Sequence, residues 1–164
     1  MKSDDLIQNL KLIPHPEGGW FRRTFSSQHT IDLERGKRSC STSILYFLKP
    51  GEFSRLHCLA SDEIWYFHYG SPLKMHLFHR DAYETITLGN DVSEGQIVQK
   101  IINADTVFGA EVSVCQNQNG SLLSCSVTPG YDNLDFRWAD LNLMLVKYPN
   151  QASIIRRLAP CVSS

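Results

Sequence analysis

Short apolar runs separated by turn residues recur about every ten residues through most of this chain, with no alternation of strands and helices. That habit belongs to an all-β sandwich or barrel. The pattern predicts strands over Trp20–Phe25, Ser43–Leu48, two runs inside Gly51–Gly70, Leu73–His79, Tyr83–Leu88, Gln96–Ile102, Val107–Val114 and Leu122–Val127. Gly89-Asn90-Asp91 reads as a hairpin turn, and Pro129-Gly130-Tyr131 ends the last of these strands. Within Trp20–Phe25, side-chain alternation puts Trp20, Arg22 and Thr24 on one face and Phe21, Arg23 and Phe25 on the other. Helical spacing is confined to the ends. Ser3–Leu12 carries the stripe Leu6, Ile7, Leu10, with Ser3 as a cap and Asp4 and Asp5 at the positive end. Ala139–Lys147 and Gln151–Leu158 read as further short helices. The polar stretch Gln28–Ser41, with Glu34-Arg35-Gly36-Lys37-Arg38, reads as a mobile loop or hairpin end whose basic cluster is solvated. One domain over residues 1–164 is expected, with a helix over 1–13, a barrel over 14–148 and a tail over 149–164.

Candidate chemistry concentrates between Gly51 and Gly70. Two apolar runs are split there by the turn Ala60-Ser61-Asp62. Phe53, Arg55, His57 and Leu59 share one face of the first run, and Glu63, Trp65 and Phe67 one face of the second. If those faces meet, an imidazole and a carboxylate point into one cavity beside an indole. Imidazole titrates near neutrality and a carboxylate fixes its tautomer, so His57 with Glu63 could serve as a general base. Arg22 or Arg55 could hold a carboxylate or phosphate by paired hydrogen bonds, with surface salt-bridging as the alternative. Phe53 and Trp65 could wall a ligand, although core packing is the default for aromatic residues. Glu17-Gly18-Gly19 reads as a backbone turn rather than a phosphate cradle, because no helix start follows it. Cys58, next to His57, faces the other way in a regular strand, which argues against a thiolate–imidazole pair.

The spacing of Gly51, His57, Glu63 and Gly70 resembles the first motif of the cupin superfamily, with Leu59 where that motif carries a second histidine. Pro16-Glu17-Gly18-Gly19-Trp20-Phe21-Arg22, Asp62-Glu63-Ile64-Trp65 and Pro129-Gly130-Tyr131 resemble the signatures of a small group of single-domain cupins, family five. The resemblance runs from about Pro14 to about Tyr148 and implies a double-stranded β-helix, the cupin jelly-roll barrel, with short terminal helices. It also implies an acidic residue where Arg23 stands, so this chain departs from the pattern there. Metal-binding cupins draw two histidines and a glutamate from the first motif and a histidine from the second. The counterpart of the second motif, Gly95–Ala110, has no histidine. No cofactor is therefore expected. A divalent transition metal would have to use His57 and Glu63, with a distant residue such as His76 or His68. The superfamily also implies a metal-free alternative, a sugar epimerase with His57 as base and Tyr46, Tyr66, Tyr69 or Tyr131 as acid.

Composition narrows the partners. A chain of 164 residues with 42% hydrophobic and 20% charged residues is ordinary for a globular domain. The net charge of −1 favours neither nucleic acid nor membrane as a partner. The polar N-terminus leads into no apolar signal core. Five scattered cysteines fit reduced thiols, hence a cytoplasmic protein. The expected function is a small-molecule-binding cupin taking a polar or sugar-like ligand at Arg22, Phe53, Arg55, His57, Glu63 and Trp65. The alternatives are a metal-independent isomerase or epimerase using His57 and Glu63, a metal-dependent cupin enzyme, and a barrel kept for assembly. A homodimer is expected through the edge strand Trp20–Phe25.

Overall fold

The computed structural model describes residues 2–80, 82–112 and 119–160. The apolar runs become strands β1 (Ile13–Pro14), β2 (Trp20–Ser26), β3 (Thr30–Leu33), β4 (Gly36–Ser39), β5 (Thr42–Leu48), β6 (Phe53–Leu59), β7 (Asp62–Gly70), β8 (Leu73–Phe78), β9 (Tyr83–Leu88), β10 (Gln99–Ile102), β11 (Val107–Val112), β12 (Ser121–Thr128) and β13 (Phe136–Trp138). The helices are α1 (Ser3–Asn9), α2 (Leu141–Lys147) and α3 (Ala152–Arg157). A six-stranded sheet in the order β1-β2-β5-β12-β7-β10 faces a five-stranded sheet in the order β13-β6-β11-β8-β9. Both are antiparallel. This is the all-β sandwich that the strand pattern predicts and the jelly roll that the resemblance implies. Among the described residues, no helix is long and apolar enough to cross a membrane.

Alternation fills the space between the sheets. β7 contributes Trp65 and Phe67, β8 contributes Leu73, Met75 and Leu77, and β12 contributes Leu123 and Cys125. The helices cover the outer faces. α1 brings Leu6 and Ile7 to Phe47 of the first sheet. On the second sheet, Met144 of α2 and Ile155 of α3, with Tyr148 and Leu158, pack on Leu56 and Phe78. Fully burying an aliphatic side chain such as Ile155 contributes about 1.5–3 kcal/mol, so the two last helices hold that sheet firmly.

Several local readings change. Ser3 opens α1 rather than capping it; Lys2 takes the cap position, with no side-chain bond. The stretch from Gln28 to Ser41 is a hairpin of β3 and β4, and its basic cluster is not all solvated. Arg38 is buried and grips Asp135 through Nε (2.8 Å) and Nη2 (2.9 Å), while Arg35 reaches the same carboxylate at 3.3 Å. The strand β2 is covered at Trp20 and Phe21 by the two-residue β1 and is open beyond them. The predicted strand end at Ser113–Val114, most of the predicted loop from Cys115 to Gly120, and Cys115 and Cys161 lie outside the described residues.

The change that matters most is in β6. Phe108 of β11 pairs with His57, but Ala110 pairs with Ser54, so two residues of β6, Arg55 and Leu56, stand opposite Gly109 alone. This bulge breaks the two-residue alternation. Ser54 and His57, three apart, both face the interior, and Arg55 does not share the face of His57. The expected alignment of Phe53, Arg55 and His57 is corrected accordingly.

Arg38 holds the Asp135 carboxyl below the usual carboxylate range, with Arg35 adding to the effect. A depressed carboxyl stabilises the fold above its unfolded value, about pH 4, and that contribution is lost as pH falls through the lower folded value. Asp135→Asn is therefore expected to lower the urea midpoint at pH 7, with the gap to wild type closing in strong acid. Asp32→Asn, which removes an exposed partner of Lys37, is expected to leave the midpoint nearly unchanged.

Candidate functional site

The turn before β2 delivers a residue to the site. Gly18 and Gly19 adopt φ of 112° and 70°. A Cβ on Gly18 would lie 2.2 Å from the carbonyl oxygen of Phe53, so the turn packs directly on the backbone of β6 and only glycine fits. The Tyr46 hydroxyl donates to the Gly18 carbonyl at 2.7 Å and pins the turn from β5. Glu17 is thereby swung inward and is 8% exposed.

The β6 bulge supplies the other half. Its freed backbone groups are both used: the Arg55 N–H donates to the Glu17 carbonyl at 2.9 Å, and the Arg55 carbonyl faces His57 Nδ1 at 2.7 Å. A carbonyl can only accept, so Nδ1 carries the proton and Nε2 is left bare in the neutral ring. Nε2 lies 3.3 Å from Glu17 Oε2, with the Ser54 hydroxyl 3.5 Å from the same oxygen. Phe108 and Phe136 enclose the ring, with centroids at 4.4 Å and 5.5 Å. Burial pushes His57 down to about 4, with His15 adding to the fall. Burial also raises Glu17 well above the carboxylate range, and the Glu63 charge adds to the rise. Both shifts favour the uncharged forms of the two groups, the imidazole and the carboxyl, which lie side by side.

From β7, Glu63 and Trp65 enter the same space. Glu63 is raised to about 7 by burial, with the Trp65 and Cys125 side chains tempering the rise. Glu63 Oε2 and the indole Nε1 of Trp65 are buried and have no hydrogen-bond partner among the described residues. His15 accepts from the Glu17 N–H at its Nδ1 and is itself pushed by burial down to about 4. These groups surround a cavity of about 370 Å³ whose wall also includes Phe21, Arg23, Tyr46, Leu59, Cys125 and Tyr131. The volume suits one small ligand.

Of the residues expected at the site, the structure brings His57, Glu63 and Trp65 together. It places Arg22, Phe53 and Arg55 elsewhere. Arg22 lies on the outer face of β2, exposed, because Phe21 and Arg23 hold the inward positions. Phe53 packs toward the helices, and Arg55 lies over its ring at 5.1 Å and donates to the Ala159 carbonyl. Glu17, His15 and Arg23 were not among the expected site residues. For Glu17 the signal was present in the two glycines that follow it, a pair that suits close backbone approach.

The family model described as Cupin superfamily (DUF985) matches residues 4–139, most of the chain. This chain is a cupin. A hypothetical protein from Leishmania major has a similar structure, with a TM-score of 0.89, 31% identity, and coverage of 97% of this chain and 99% of that one. A protein from Shewanella oneidensis is similar at a TM-score of 0.85 and 32% identity, covering 97% and 98%. The uncharacterized protein YML079W of Saccharomyces cerevisiae is 27% identical over 141 residues, 77% of this chain and 70% of that protein.

Cupins raise the question of a metal, and the side chains here do not fit one. Leu59, an apolar lining residue, stands where a second imidazole would be. His76 cannot complete a set: its ring nitrogens face the Tyr83 hydroxyl (2.7 Å) and Glu111 (3.1 Å) on the helix-covered side of the second sheet. His68 is exposed and bonds to Ser124. Among the described residues, no three His, Cys, Asp or Glu side chains are placed to share an ion.

An acid raised from 4.5 to about 7 stabilises the fold fully below its unfolded value and loses that contribution as pH rises through 7. Between pH 5 and pH 8 the wild type should therefore lose up to about 3 kcal/mol relative to Glu63→Gln, read from urea unfolding at each pH. A constant difference between the two proteins would show that Glu63 is not raised.

Proposed function

We propose that this cupin binds a small polar or sugar-like molecule in the cavity between its sheets. The observation that carries the reading is the pair Glu63 Oε2 and Trp65 Nε1–H, buried beside an open volume and without hydrogen-bond partners among the described residues. Each unpaired buried polar group costs about 1–3 kcal/mol. A ligand offering an acceptor to the indole and a hydroxyl to the carboxyl removes that cost. The aromatic walls, Phe21, Tyr46, Trp65 and Phe136, suit the apolar faces of a ring.

A second reading, metal-independent isomerisation or epimerisation, is favoured by the bare Nε2 of His57. A neutral imidazole fixed in one tautomer is a general base, provided a substrate displaces or borrows the Glu17 proton. Among the tyrosines considered as acids, Tyr131 lines the cavity, whereas Tyr46 is committed to the Gly18 carbonyl. Tyr66 pairs with Ser126, and Tyr69 is 41% exposed.

A thermal-shift screen of monosaccharides and small polar metabolites tests the first reading. A ligand at about a hundred times its dissociation constant stabilises by about 2.7 kcal/mol, and the gain should vanish in Glu63→Gln. A ligand that stabilises both proteins equally would bind elsewhere. Solvent deuterium incorporation into a bound sugar tests the second reading. His57→Ala should abolish it, and exchange at the wild-type rate would remove His57 as the base.

A further inference from the structure

We infer that the occupant of the cavity carries an anionic group, a phosphate or carboxylate on a sugar-sized polyol, and that Arg23 holds it at the mouth. The inference rests on the binding reading above and names the ligand class for that site. The cavity has two unlike ends. Its buried wall holds the carboxyls of Glu17 and Glu63 and the imidazole of His57. An anion placed against that inner wall would be stripped of water and would find no cation there to compensate. Hydroxyl groups are accepted there, and the rings of Tyr46, Trp65 and Phe136 offer faces for C–H groups.

The mouth is formed by the lining residues that remain exposed: Pro16, Arg23, Asn133 and Trp138. Among the described residues, Arg23 is the one arginine or lysine of the lining. Its guanidinium carbon lies 5.9 Å from the centroid of the Tyr131 ring, and among the described residues no carboxylate pairs with it. A planar guanidinium backed by an aromatic ring, with its donors unclaimed, matches the paired oxygens of a phosphate or carboxylate. A neutral sugar satisfies the inner wall but leaves Arg23 with nothing to hold. A polyol with a terminal anion fills both ends at once.

The test titrates the full chain by calorimetry with matched pairs: glucose against its terminal phosphate ester and against glucuronate, and ribose against its terminal phosphate ester. In wild type the anionic member of at least one pair is expected to bind about tenfold tighter than its neutral parent, the scale of one charge-assisted contact. That preference should shrink as salt rises. Arg23→Ala should erase the preference, and Arg23→Glu should turn it in favour of the neutral parent. Unchanged unfolding midpoints show that both variants fold. Equal binding of neutral and anionic members to wild type overturns the inference, as does a preference that survives both substitutions. Neutral sugars that bind in a Glu63-dependent way, with no anionic member of any pair binding tighter, remove this inference and leave the binding reading standing. Failure of every member to bind wild type removes both.

Discussion

The contact between His57 Nε2 and Glu17 Oε2, 3.3 Å long and largely buried, is what the rest of the site is arranged around. As an ion pair it would have to recover the desolvation of both partners. Burial instead drives the imidazole down and the carboxyl up, so both shifts favour the uncharged forms. The tautomer of the imidazole is set by the Arg55 carbonyl, which claims the proton on Nδ1. A backbone group on the bulge thus decides which imidazole nitrogen is available for chemistry.

Two irregularities make the contact possible. Neither a straight β6 nor an ordinary loop before β2 would bring these groups together. The bulge turns Ser54 and His57 to the same side and frees the backbone of Arg55. The Gly18-Gly19 turn lays its backbone against Phe53 and Phe47 so closely that no side chain fits. The Arg55 N–H then bonds the Glu17 carbonyl and joins bulge to turn. Arg55 belongs to the site through its main chain while its guanidinium points to the chain's last described turn.

The regular part of this structure was legible in the sequence because alternation survives wherever strands pair evenly. β7 shows it: Glu63, Trp65 and Phe67 were read as one face and all are buried inward. The strands and the terminal helices follow from the same pattern with ends shifted by a few residues. What alternation cannot carry is a change of register, a property of two strands rather than one. Arg55 and Phe53 were misplaced for that reason. Arg22 was chosen over Arg23 although the faces of β2 were read correctly, because nothing in the sequence said which face looked inward. Arg38 and Asp135 lie 97 residues apart, and a basic run in a polar stretch gives no sign that one member is buried on a distant acid.

The most direct test of the central claim is the nitrogen-15 spectrum of the His57 ring between pH 5 and pH 8. A neutral ring protonated at Nδ1 across that whole range, with Nε2 bare, is the predicted result. A ring that titrates near the ordinary histidine value of about 6.5, or one protonated at Nε2 when neutral, would contradict it.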